Sequence, residues 1–208
     1  MGFSWLLLLG FLAQALFGAR SAVQWYLSEK QGKVVSPTLF WIFSLCGSGL
    51  FLVYGLLRHD GVILVGQSIS FYIYVRNLQL KNAWRVLPPP VRWLVLGVPP
   101  LIVFLQVCSS DDFQLFDSFH ALILLGVAGQ LLLNCRYLYQ WYYSERAHES
   151  LLPLGFWIIS AVASLLVVAY SLYAGDAVLL VAQSLGLVVY ARNIIIYFRR
   201  GLGHDSLK

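Results

Sequence analysis

The sequence predicts an all-α integral membrane protein with seven transmembrane helices, arranged as two parallel three-helix bundles joined by a linker helix. Three observations lead there. First, 60% of the 208 residues are hydrophobic and only 11% are charged, with a mean hydropathy of +0.76. A soluble domain carries about 25% charged residues, without which its core cannot be covered. Second, the apolar residues fall in long blocks: 37–57 and 151–174 contain no Asp, Glu, Lys or Arg. About 20 apolar residues cross the hydrocarbon core as a helix, and the alternating polarity of a membrane barrel is absent. Third, the chain repeats itself without a gap. Gln24-Trp25-Tyr26 returns as Gln140-Trp141-Tyr142, and about 27 of the 68 or so positions from Gly10 to Asn77 are identical 116 residues later, a periodicity that marks a duplicated structural unit.

The matched residues are polar and aromatic, so shared hydrophobicity does not explain them. Arg20 pairs with Arg136, Ser28-Glu29 with Ser144-Glu145, Pro37 and Trp41 with Pro153 and Trp157, Gln67-Ser68 with Gln183-Ser184, and Arg76-Asn77 with Arg192-Asn193.

In chain order, the first span is 3–26. Its start resembles the apolar part of a secretory signal, but no Lys or Arg precedes it. It also has a counterpart in mid-chain, so it reads as a structural span. The second and third spans are 37–57 and 61–80. A linker span, 93–108, carries Pro99-Pro100 and is expected to kink there. The second copy supplies 118–143, 152–174 and 177–198. Three spans per copy would invert the second copy, and the added linker restores its orientation, giving parallel repeats. The domain boundaries predicted are 1–82, 83–112 and 113–208. Pro88-Pro89-Pro90 reads as a stiff loop.

Loop charges set the orientation. One set holds Lys30, Lys33, Lys81, Arg85, Arg92, Arg146, Arg199, Arg200 and Lys208; the alternate set holds Arg58, Asp60, Asp111, Asp112, Asp117 and Asp176. Basic loops stay cytoplasmic, which puts the N-terminus outside and the C-terminus inside. The net charge of +5 thus belongs to membrane topology, and no nucleic-acid partner is expected.

Helical spacing of about 100° per residue groups the polar residues into faces. Gln14, Arg20 and Gln24 share one side of the first span, and Gln130, Arg136 and Gln140 one side of the fifth. Trp41 with Ser44 and Ser48, and Trp157 with Ser160 and Ser164, form stripes on the second and sixth. Gln67, Tyr74 and Asn77 line the third, and Gln183, Tyr190 and Asn193 the seventh. Each single Gln or Ser has packing as its plain alternative, since such side chains hydrogen-bond between membrane helices. An Arg inside a span is costlier and faces a cavity or a partner. Stripes on three helices, present twice, favour a shared polar cleft between two bundles. The candidate binding residues are therefore these, with Trp25 and Trp141 as ring platforms. Glu29, Arg76, Glu145 and Arg192 form a second tier that can equally snorkel to water.

No catalytic constellation appears. His59, His120, His148 and His204 are scattered, and Asp111-Asp112 lacks a second carboxylate cluster. Cys46, Cys108 and Cys135 have no metal spacing and read as buried apolar side chains. The expectation is no enzyme, no metal and no cofactor.

The blocks from Gln24 to Asn77 and from Gln140 to Asn193 resemble the lipid-A-disaccharide-synthase N-terminal domain, within the wider group of SWEET sugar transporters, PQ-loop transporters and KDEL receptors. The resemblance covers nearly the whole chain, twice. It implies a SWEET-like three-one-three arrangement with cavity residues on the first and third helices of each bundle. Asn77 and Asn193 compare with the group's Asn late in the third helix, and Gln24 and Gln140 with the Gln of its PQ motif. Val23 and Tyr139 stand where that motif has Pro. A bacterial inner-membrane location and a role in glycolipid or lipid A chemistry are implied as well. The functional expectation is a transporter or flippase for a lipid-linked sugar or phosphosugar, working by alternating access. Its alternatives are a scaffold that recruits a membrane-associated glycosyltransferase, and a carrier of soluble sugars.

Overall fold

The computed structural model describes residues 5–58, 61–109, 121–175 and 177–205. Among them are seven α-helices: α1 (Trp5–Gln31), α2 (Thr38–Arg58), α3 (Gly61–Leu80), α4 (Pro89–Ser109), α5 (Ala121–Ala147), α6 (Leu154–Ala174) and α7 (Ala177–Asp205), with a short 3-10 turn at Ala83–Val86. Each expected span has its helix. Four are long and apolar enough to cross a bilayer: Thr38–Arg58, Pro89–Cys108, Leu154–Tyr173 and Leu180–Arg199. Large apolar side chains such as Leu12, Val53, Phe104, Leu165 and Leu185 stand exposed on helix surfaces. An apolar surface of that extent fits a protein solvated by lipid.

The helix ends show what composition hides. α1 and α5 run past the expected ends at 26 and 143 because their polar last turns remain helical. Lys30 and Arg146 sit in those last turns, where cations favour the negative end of the helix dipole. Gly32 then stops α1 at φ 61°, and its repeat partner His148 adopts φ 53°. Both are left-handed positions that glycine takes without cost and histidine only with some strain. Pro89 and Pro90 correct the expectation of a stiff loop, for they form the first turn of α4, where a missing N–H loses no helical bond. Arg92 ties that turn back, donating from Nε to the Leu87 carbonyl at 2.7 Å and from Nη2 to the Arg85 carbonyl at 2.8 Å. α4 continues through Pro99 and Pro100 as one helix.

The chain divides into two compact units. Unit 1 comprises Met1–Val23 and Pro37–Asp117; unit 2 comprises Gln24–Ser36 and Ser118–Lys208. α1 therefore contributes residues to both. In unit 1, α2 packs on α3 and α4, burying Phe40, Trp41, Leu52, Phe71 and Tyr74. In unit 2, α6 packs between α5 and α7, burying Tyr137, Phe156, Trp157, Ala163 and Val167. The aromatic geometry is repeated. Phe40 and Trp41 meet edge-on at 4.8 Å with Tyr74 at 5.9 Å from Trp41; Phe156 and Trp157 meet at 5.0 Å with Tyr190 at 6.1 Å from Trp157.

Close helix contact in unit 2 depends on Gly129. A Cβ there would lie 2.5 Å from a Val167 methyl and 2.9 Å from the Ala163 carbonyl oxygen. The backbone atom cannot rotate away, so Gly129→Ala forces α5 and α6 apart. We expect a loss of about 1–3 kcal/mol, read as a lower melting temperature of the detergent-purified protein. The repeat partner of Gly129 is Ala13 and that of Ala163 is Gly47, so each copy keeps one Gly and one Ala at this pair of positions, exchanged between helices.

The three cysteines differ from expectation. Cys46, Cys108 and Cys135 are all exposed on helix surfaces. A span in lipid has no need to turn small apolar side chains inward, so hydrophobicity does not report burial there.

Candidate functional site

Each unit centres on a buried arginine. In unit 1, Arg20 of α1 donates from Nη1 to Ser44 Oγ of α2 at 2.9 Å and to Tyr74 OH of α3 at 3.3 Å. Its guanidinium lies over the Phe17, Phe40 and Tyr74 rings, 4.4, 5.4 and 5.9 Å from their centroids. In unit 2, Arg136 of α5 donates to Ser160 Oγ of α6 and to Tyr190 OH of α7, both at 3.0 Å, and Nη2 reaches Tyr137 OH at 3.4 Å. The Tyr137, Phe156 and Tyr190 rings surround it. Both arginines are 7% exposed. One guanidinium thus links three helices in each copy, its charge met by hydroxyls and aromatic faces.

A second repeated cluster fastens the loop after the first helix of each copy. Gln24 Nε2 donates to Ser28 Oγ at 2.9 Å and to the Val35 carbonyl at 3.4 Å, while the Val35 N–H donates to Ser28 Oγ at 3.2 Å. Gln140 Nε2 donates to Ser144 Oγ and to the Leu151 carbonyl, both at 2.7 Å, and the Leu151 N–H donates to Ser144 Oγ at 2.9 Å. Both glutamines and both serines are fully buried. Sequence reasoning passed over Ser28 and Ser144. Their retention in the repeat, four residues after the glutamine and on its helix face, was the available signal.

The third cluster joins the end of α1 to α7 within unit 2. Gln24 Nε2 donates to Asn193 Oδ1 at 2.8 Å, and Asn193 Nδ2 donates back to Gln24 Oε1 at 3.1 Å. One turn beyond, Arg192 grips Glu29 with two prongs, Nε to Oε1 and Nη2 to Oε2, the latter at 2.8 Å. Trp25 Nε1 donates to the same carboxylate at 3.0 Å. These hydrogen bonds, that from Arg192 first and that from Trp25 next, hold Glu29 down to about 2 from a usual 4.5. Glu29 is therefore anionic throughout the neutral range.

The structure brings together Arg20 with Tyr74, Arg136 with Tyr190, and Gln24 with Asn193, Trp25, Glu29 and Arg192 nearby. Trp41 and Trp157 are buried in the cores of their own units, 0% and 2% exposed. Trp25 and Trp141 stand on the surface. Gln14 is exposed, at the margin of the arc that Arg20 and Gln24 occupy. The Gln130 side chain lies outside the described residues. Asn77 is buried and donates to the Ile73 carbonyl at 2.9 Å, as Asn193 does to Val189. Arg76 donates to Gln79 Oε1 at 3.2 Å, and Glu145 is partly exposed. In unit 2, Ser164 donates to Gln183 Oε1 at 2.8 Å; in unit 1, Ser48 donates instead to the Gln67 carbonyl. Among the described residues no group of His, Cys, Asp and Glu is arranged to hold a metal.

These features define an all-helical protein, with four helices long and apolar enough to cross a membrane, whose two copies are each pinned by a buried arginine and a buried Gln–Ser pair. The chain belongs to the Lipid A Biosynthesis N-terminal domain family, whose pattern matches residues 9–79 and again 125–195. It is 29% identical over 205 residues to the lipid-A-disaccharide synthase of Chlamydia pneumoniae, covering 92% of this chain and 33% of that protein. The lipid-A-disaccharide synthases of Chlamydia abortus and Chlamydia muridarum are each 27% identical, with 92% and 95% of this chain covered. The chain spans about a third of the length of these curated relatives. No solved structure matches it.

The relatives correct one expectation. A chain without a catalytic constellation was expected not to be an enzyme, yet the proteins it aligns with over most of its length carry an enzyme's name.

Proposed function

We propose that this chain handles a glycolipid of the lipid A pathway in the bacterial inner membrane, as a transporter or flippase for an acylated, phosphorylated sugar. The observation that carries the reading is the double family match, joined to relatives named for lipid A disaccharide synthesis. In this reading all seven helices span the membrane in a SWEET-like three-one-three order, with the N-terminus outside. α1, α3 and α5 carry the polar residues that lower their apolarity, and those residues supply hydrogen bonds for a sugar and cations for a phosphate.

A second reading has its own support. The relatives are about three times longer and are named for an enzyme, which favours the doubled unit as the lipid-holding part of a glycosyl-transferring protein. Liposomes containing the purified protein and a fluorescent acylated glucosamine phosphate distinguish the two. A transporter raises leaflet exchange, read by dithionite quenching, above that of protein-free liposomes. Binding without accelerated exchange rejects the transporter and leaves the lipid-holding role. Absence of both rejects the two readings.

A further inference from the structure

We infer that Arg192 anchors a phosphate-binding site at the end of α7, and that Glu29 is its resident, displaceable occupant. The inference rests on the reading above, that the ligand is a phosphorylated glycolipid, and adds where its phosphate docks. Arg192 presents Nε and Nη2 to the two oxygens of one carboxylate. The same pair of N–H groups matches two oxygens of a phosphate, the other anion suited to a guanidinium fork. The pair is open to approach, with Arg192 30% and Glu29 37% exposed. Water and salt reach a pair at such exposure and screen it, so a phosphate monoester, with up to two charges and three oxygens, competes with a single carboxylate.

Two neighbours favour the exchange. Trp25 Nε1 now donates to Glu29 and becomes available to the incoming anion when Glu29 leaves. Arg199 adds positive potential at the same carboxylate. Arg192 lies seven residues before the end of the apolar run Leu180–Arg199, and Glu29 two residues before the end of α1; basic side chains towards the ends of membrane helices are where headgroup phosphates bind. Gln24 and Asn193, paired one turn away and fully buried, hold the helix ends while the exposed pair opens.

The shared chemistry is a phosphate anion, carried either by a lipid headgroup or by a soluble ion, and the test separates the two. The intact chain is placed in phosphatidylcholine nanodiscs and titrated with phosphatidic acid in one arm and inorganic phosphate in the other. Indole fluorescence is followed against a Trp25→Phe control. Glu29→Gln, which removes the competing charge, is expected to bind about tenfold more tightly than wild type, and Arg192→Gln to lose binding by at least about tenfold. Arg192→Lys keeps the charge without the fork and falls between. This ordering in both arms assigns recognition to the phosphate itself; in the phosphatidic acid arm alone it assigns recognition to the lipid headgroup. Unchanged affinity in Glu29→Gln, or wild-type binding in Arg192→Gln, overturns the site and leaves a fixed structural ion pair. If Arg192→Gln moves the fluorescent glycolipid at the wild-type rate, the site falls while the proposed function stands. If the titrations behave as expected but no glycolipid is bound or moved by the wild type, the function falls and the site stands.

Discussion

Replacing Arg136 with alanine is expected to destabilise unit 2 by about 2–4 kcal/mol. The guanidinium is almost fully buried, and its Nη1 holds Ser160 of α6 and Tyr190 of α7 at once. Truncation leaves Tyr190 OH without this donor and opens a space among the Tyr137, Phe156 and Tyr190 rings. Ser160 suffers less, because its hydroxyl still donates to the Phe156 carbonyl. Arg136→Lys recovers part of the loss, since an ammonium cannot spread two donors as the fork does. The informative variant is the triple change Arg136→Met, Ser160→Ala and Tyr190→Phe, which removes both hydroxyls that accept from the Arg136 Nη1. Buried polar clusters replaced entirely by apolar side chains of similar volume often lose no stability. Thermal unfolding in detergent should thus rank the triple variant near wild type and Arg136→Ala well below. Glycolipid movement measured on the stable triple variant then separates the two roles. If movement survives, Arg136 is a clasp; if it is lost while stability is kept, the arginine touches the ligand. Arg20 with Ser44 and Tyr74 permits the same experiment in unit 1, because those partners stand at the same sequence separations.

What the sequence disclosed depended on the kind of signal each feature leaves. The duplication was legible because it rests on identity of polar residues, and the helices because lipid demands long apolar runs. The ends of α1 and α5 were not, since residues 28–31 and 144–146 are polar yet helical, and a hydropathy pattern ends where the apolar run ends. The arginines stood out as charges inside apolar spans, but the sequence could not say that Ser44 with Tyr74, and Ser160 with Tyr190, would meet them. Those contacts join residues up to 54 positions apart. Ser28 and Ser144 escaped for another reason: a serine that accepts from a glutamine one turn earlier looks, in sequence, like any small helical residue. Pro89 and Pro90 were misread because proline starts a helix as readily as it breaks one.

A double-mutant cycle on Gln24 and Asn193 is expected to show a coupling of about 1–2 kcal/mol, at the upper end for side-chain hydrogen bonds between membrane helices. The two amides exchange two hydrogen bonds, at 2.8 and 3.1 Å, and both side chains are 0% exposed. Water is therefore not at hand to replace a lost partner, and Asn193→Leu strands part of the Gln24 amide. Gln24→Leu costs more than Asn193→Leu, because Gln24 also serves Ser28 and the Val35 carbonyl, so the loop leading to α2 loosens with it. The double variant should sit above the sum of the single losses, since neither remaining side chain then seeks the other. Thermal melts of the four proteins read the stability, and hydrogen exchange at 24–36 shows where it was lost. Exchange that rises in this segment in both single variants places the coupling at the α1–α7 contact of unit 2. Additive losses would falsify the reciprocal amide pair as the fastening there. The segment would then be held by the exposed Glu29–Arg192 pair and packing alone, and its attachment would weaken with added salt.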